Sequence, residues 1–135
     1  PACVPAPDAT CADADLDGAE LASADLSRID LSGASLVGAD LSDATLDEAQ
    51  LAGADLADAS LVGASMRGVN ADSARFVGAD LTGADLTDGV FTGADFSSAN
   101  LTGAITEGAD FAGAIVSPET ICTNGEPRSE TLDCI

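Results

Sequence analysis

One residue phase recurs every five positions along most of this chain. If the large apolar residue of each unit is its centre, the centres are Leu16, Leu21, Leu26, Leu31, Leu36, Leu41, Leu46, Leu51, Leu56, Leu61, Met66, Ala71, Phe76, Leu81, Leu86, Phe91, Phe96, Leu101, Thr106, Phe111 and Val116, with no insertion or deletion. All four Phe residues and the single Met fall in this phase. Two positions before each centre stands Ala, except at Ile29, Val69 and Gly89, and the residue just before the centre is most often Asp. Two positions after the centre, 12 of the 14 glycines recur.

A period of five fits neither the 3.6-residue repeat of an α-helix nor the two-residue alternation of a strand. It fits a chain that turns a corner every five residues, with the small Ala and the large centre pointing inward and three side chains facing solvent. Gly at the last place of the unit supplies the positive φ of a type II turn. Where Arg28, Asp43, Glu48 and Asp58 replace it, a different turn type is expected.

The unit Ala79-Asp80-Leu81-Thr82-Gly83 resembles the A(D/N)LxX signature of pentapeptide-repeat proteins, and the match extends over about three quarters of the chain. The resemblance implies an all-β fold, a right-handed quadrilateral parallel β-helix of about five coils with four units per coil. Residues 20 apart then stack at ~4.8 Å, giving a rod roughly 24 Å long. The columns become Leu16, Leu36, Leu56, Phe76, Phe96, Val116; Leu21, Leu41, Leu61, Leu81, Leu101, Ile121; Leu26, Leu46, Met66, Leu86, Thr106; and Leu31, Leu51, Ala71, Phe91, Phe111. Every centre from Leu16 to Phe111 should be buried. Ala71 leaves a gap for Val69, Met66 and the Phe rings to fill, because cores pack near crystal density.

On this fold the chain divides into an N-terminal cap (1–13), a β-helix (14–118) and a C-terminal cap (119–135). Pro1, Pro5 and Pro7 disfavour a helix at the start, and Pro118 breaks the repeat at the far end. Ile105 and Ile115 stand where Asp is usual and read as a landing pad for a tail carrying Ile121, Leu132 and Ile135. Four cysteines allow three pairings. A rod with Cys3 and Cys11 at one end and Cys122 and Cys134 at the other implies Cys3–Cys11 and Cys122–Cys134, since a bridge cannot span Cα atoms more than ~7 Å apart. Disulfides imply an oxidising compartment: periplasm, thylakoid lumen or cell exterior. A start at Pro-Ala-Cys reads as a mature form after removal of a targeting segment.

The formal net charge is −20, with no Lys, His, Trp or Tyr. That excludes the basic footprint needed for direct nucleic-acid binding, and no apolar run approaches the ~18 residues of a membrane-spanning helix. Without His or Lys, and with every Cys assigned to a bridge, nucleophilic triads and Schiff-base chemistry have no carriers. No cofactor, catalytic residue, metal site or small-molecule substrate is expected. Stacked carboxylates such as Glu20 over Asp40 do not supply the converging oxygens that Ca²⁺ takes. The fourth side carries fewest acids and has the smoothest profile, with Gln50, Ala52, Gly53, Asn70, Val90, Thr92, Gly93 and Ala112. It is the candidate face for a protein partner. The first functional expectation is a non-catalytic acidic scaffold outside the cytoplasm. The resemblance implies a second, since quinolone-resistance members of the family mimic DNA and bind gyrase. A third is a subunit stacking end to end into fibres.

Overall fold

A computed structural model describes residues 3–125 of the chain. It contains nineteen parallel bridges between outward-facing residues. Eighteen join positions 20 apart, from Thr10 with Asp30 to Asp95 with Ile115. A corner falls every five residues, so each coil has four sides, and each side is a one-residue-wide parallel ladder.

The backbone accounting explains the repeat. In the unit around Leu36, the Leu36 N–H donates to the Asp55 carbonyl (2.7 Å) and the Gly38 N–H to Ala57 (2.9 Å) in the next coil. The Ser35 N–H donates back to Ala14 (2.9 Å), and the Ala39 N–H closes the turn on Leu36 (3.0 Å). Four of five N–H groups are thus committed. The fifth belongs to the residue after the centre, and a side chain completes it. In eleven units the residue before the centre accepts that N–H on its own Oδ1, as Asp80 does from Thr82 (3.0 Å). This is an Asx turn, in which a short acid or amide imitates a backbone carbonyl. It is the physical reason for Asp in the signature. At Ser35 and Ser65 the hydroxyl leaves the N–H of Val37 and Arg67 unanswered. There the carboxylates of Asp17 and Asp47, one coil earlier, accept it (3.0 Å each).

These turns give a direct test. Asp80→Asn keeps the acceptor and should leave the urea midpoint nearly unchanged. Asp80→Ala strands the Thr82 N–H and hydroxyl and should cost about 1 kcal/mol, the scale of a net hydrogen bond. Equal losses in the two variants would show that charge, not the turn, is what Asp80 supplies.

Every corner residue from Asp8 to Gly113 has positive φ, including Arg28 (58°), Asp43 (56°), Glu48 (60°) and Asp58 (57°). This corrects the expectation of a different turn type at those four. Closing a four-sided coil demands the same corner each time, and the left-handed conformation, costly by ~1–2 kcal/mol for a residue with a Cβ, is imposed by the surrounding ladder. Spacing then matters along the rod. A Cβ on Gly33, Gly63, Gly78 or Gly108 would overlap the carboxylate of Asp13, Asp43, Asp58 or Asp88, one coil earlier. Apart from Asp8, which pairs with Arg28, every acidic corner faces a glycine in the next coil.

The core is a sealed stack from Leu26 to Leu101, all of whose centres are fully buried. Leu16, Leu21, Thr106 and Phe111 are only partly buried, which corrects the expectation that burial runs to both ends. Among the described residues no further coil lies beyond these four centres. Phe76 stacks on Phe96 (centroids 5.0 Å) and Phe91 on Phe111 (5.2 Å), with tilted contacts between the two columns. Around the small centre Ala71, Val69 lies one coil before Gly89 and Ala71 one coil before Phe91, and Val69, Ala71 and Phe91 are fully buried.

The repeat geometry begins before residue 14. The corner at Asp8, the turn from the Ala9 N–H to Ala6 and the bridge of Thr10 already follow it. Cys11 is the inward centre of its unit, 2% exposed. It is bonded to Cys3 with Cα atoms 5.3 Å apart, so that the bridge lies at the N-terminal end of the stack. At the other end Pro118 shifts the phase by one. Asn100 bridges Ile121, 21 residues on. The fully buried Thr120 takes the small inward place and bonds the Phe96 carbonyl, and Cys122 takes the centre's place beyond Leu101. Ile121 is therefore a ladder residue, which corrects its assignment as a column centre; the tail it was expected to meet as a cap contact lies outside the described residues. Ile105 and Ile115 also point outward, 49% and 51% exposed. Cys122 is disulfide-bonded. Its expected partner Cys134, together with Leu132 and Ile135, lies outside the described residues.

Candidate interaction surface

The 20-residue register brings the fourth-side residues onto one surface. Gln50, Asn70, Val90 and Asp110 are successive rungs of a single ladder. Ala52, Thr92 and Ala112 flank it in the place after the centre, with Gly53 and Gly93 at the corner. The Asn70 amide nitrogen donates to Gln50 Oε1 (3.1 Å), and the Thr92 hydroxyl bonds Asp72 one coil earlier. These bonds along the rod hold the side chains of the surface in line. Val90 is the one apolar rung of this ladder, 39% exposed between an amide and an acid.

Acids cover the remaining sides, but their order along each ladder is not random. Of the nineteen bridged pairs only Glu20 with Asp40 sets acid beside acid. Elsewhere a rung of Ser, Thr, Asn, Gln, Ile, Val or Arg intervenes, which avoids the repulsion of like charges directly opposite. Arg75 bonds Asp55 on its own ladder (2.7 Å), Arg28 bonds Asp8 through Nε (2.7 Å) and Nη2 (2.9 Å), and Arg67 reaches Asp85 (3.4 Å). All three are exposed pairs of small energetic worth.

Hydrogen bonds pull several carboxylates below their ordinary 3.8. The Ser27 hydroxyl does so at Asp25, the Ser32 N–H at Asp30, the Ser42 hydroxyl at Asp40 and the Thr87 hydroxyl at Asp85; the Arg28 guanidinium lowers Asp8. A carboxylate lowered by folding adds stability above its unfolded value, and that stability is lost as pH falls through the folded value. The urea midpoint should therefore hold between pH 7 and 5 and fall below pH 3.8. A midpoint that rises on acidification to pH 3 would mean that relief of charge repulsion outweighs the Asx turns.

Among the described residues no group of His, Cys, Asp and Glu is placed to hold a metal ion. A depression of 660 Å³ lies at the N-terminal end, lined by Cys3, Val4, Thr10, Cys11, Ala12, Ala14, Asp15 and Leu16. Its one acid, Asp15, is committed to the Asp17 N–H (3.1 Å).

The model of the family described as pentapeptide repeats matches residues 9–47, 49–88 and 90–117, in eight copies. The chain belongs to the pentapeptide-repeat family. Among solved structures, a pentapeptide repeat protein from Nostoc Pcc 7120 is 27% identical, covering 80% of this chain and 84% of its own, with a TM-score of 0.47. One from the thylakoid lumen of Arabidopsis thaliana is 32% identical over 73% of this chain and 71% of its own, with a TM-score of 0.29. QnrB1, a plasmid-mediated fluoroquinolone resistance protein, is 18% identical over 84% and 70%, with a TM-score of 0.42. No curated protein sequence matches the chain.

The 20-residue register puts the fourth-side residues on one surface, whereas the part the rung acids play in the turns was not read from the sequence. The signal was present: Asn stands at 70 and 100 in the Asp position, and acids and amides share the ability to close an Asx turn.

Proposed function

We propose that this pentapeptide-repeat chain is a non-catalytic acidic scaffold that works outside the cytoplasm and holds a protein partner against its fourth side. The observation that carries the reading is the ladder Gln50–Asn70–Val90, three consecutive rungs without charge in a chain of net charge −20, with an exposed valine among them. A flat strip of amide, small and apolar groups rimmed by acids suits a partner surface that is neutral at its centre and basic at its edge, the usual division between the core and rim of an interface. The Cys3–Cys11 bridge supports an oxidising compartment. We take the coil as right-handed, as the family fold implies. The rod then serves as a rigid support on which binding groups sit at fixed spacing.

Mimicry of DNA is the second reading, favoured by one observation. Nine of the eleven Asx turns use Asp although Asn closes the same turn, so the charge exceeds what the fold needs. The two readings separate on Val90→Arg, an outward change that leaves the core intact. The scaffold reading expects co-purification of the partner with the parent chain and its loss in the variant. Stoichiometric inhibition of gyrase supercoiling at moderate salt, equal in parent and variant, would replace the scaffold reading with mimicry.

A further inference from the structure

Seven Asx turns place a hydroxyl two residues after the rung residue and bond it by hydroxyl, backbone N–H or both. Six are built on Asp: Asp25, Asp30, Asp40, Asp80, Asp85 and Asp95. The seventh is Asn100-Leu101-Thr102. Its Oδ1 accepts from the Thr102 N–H (3.0 Å) and the Thr102 hydroxyl (2.6 Å), the same two bonds that Asp80 Oδ1 accepts from Thr82. The turn is therefore indifferent to acid or amide. What Asn adds is an amide nitrogen that donates to no group among the described residues. The other Asx-turn amide differs on both counts: Asn70 donates its nitrogen to Gln50 and is followed two residues later by Asp72.

We propose that Asn100 is an N-glycan acceptor. The inference rests on the extracytoplasmic reading above. Asn-x-Thr with x other than Pro is the acceptor triplet of N-glycosylation, and here the acceptor stands on an outward rung between Asp80 and Ile121. The co-reactant is a lipid-linked oligosaccharyl pyrophosphate. The Asn100 nitrogen bonds to C1 of the first sugar, the C1–O bond to the pyrophosphate breaks, the lipid pyrophosphate leaves, and a proton passes from the nitrogen to a base of the transferase. Position supports the assignment. Asn100 lies ten residues, two corners of four, from both Val90 and Asp110. A glycan there covers the side opposite the candidate docking strip and leaves that strip bare.

The test secretes the full chain, behind a secretory leader, from a cell that carries out N-glycosylation. Mobility is compared before and after an amidase that removes N-glycans, and the peptide containing Asn100 is weighed. The expected result is a shift on the parent chain, its loss in Asn100→Asp and in Thr102→Ala, and Asp at position 100 of the parent peptide after the amidase. A secreted chain with the Cys3–Cys11 bridge intact and Asn100 unmodified overturns the inference and leaves the scaffold reading standing. A chain that reaches the medium only without that bridge, or is not exported at all, counts against the compartment reading and the inference with it.

Discussion

Leu61→Asp should leave the chain unfolded. Leu61 is fully buried at the middle of the second column, between Leu41 and Leu81. Removing a buried Leu side chain costs ~2–5 kcal/mol, and an unpaired carboxylate in an apolar stack adds several more or is forced to take up a proton. Together these match the ~5–15 kcal/mol of a whole domain. Each coil is held only by the coils on either side, so a failed central coil also removes the support of both neighbours. The control is the adjacent residue. Val62 points outward and is 36% exposed, so Val62→Asp should change stability by about 0.5 kcal/mol or less. Circular dichroism and gel filtration of the two variants decide the matter. A compact, cooperatively melting Leu61→Asp protein would mean that the column assignment is wrong.

That column was legible because a five-residue period with a fixed large centre leaves few ways to fold, and the four-unit coil follows from the family resemblance. The candidate strip was legible for the same reason, as residues 20 apart must be neighbours. Other features were not. The turn class at Arg28 and Glu48 was misjudged because local preference speaks for glycine, while coil closure imposes positive φ on whatever residue stands there. Ile121 kept its apparent phase in the sequence, yet one extra residue at Pro118 moved it outward and put Cys122 inward. Apolar character alone does not distinguish a centre from a rung when the period slips by one. The partly open Leu16 and Phe111 show that periodicity names the inward side chain without telling how completely it is covered.

Gly89→Ala is the prediction on which sequence pattern and packing disagree. Ala fills this place in all but three units, and Gly89 has no positive φ to protect. By pattern, and by the smaller entropy of an unfolded chain with one less glycine, the change should stabilise by ~0.4–1 kcal/mol. The structure expects the reverse. A Cβ on Gly89 would overlap Cε2 of Phe91, stand 3.0 Å from its Cζ and lie 3.1 Å from the Leu86 carbonyl oxygen. The ring cannot swing aside freely, because it is stacked on Phe111 at 5.2 Å and tilted against Phe76 and Phe96 at 6.0 and 5.7 Å. Overpacking a filled core costs ~1–3 kcal/mol. The urea midpoint of Gly89→Ala should drop accordingly. In a Phe91→Leu background the same change should become neutral or favourable, since the smaller side chain vacates the space. The non-additivity of the pair is the diagnostic, expected for two residues in contact. A raised midpoint for Gly89→Ala alone would show that the Phe91 ring has room to move, and that glycine at 89 is an accident of sequence rather than the counterpart of the phenylalanine beside it.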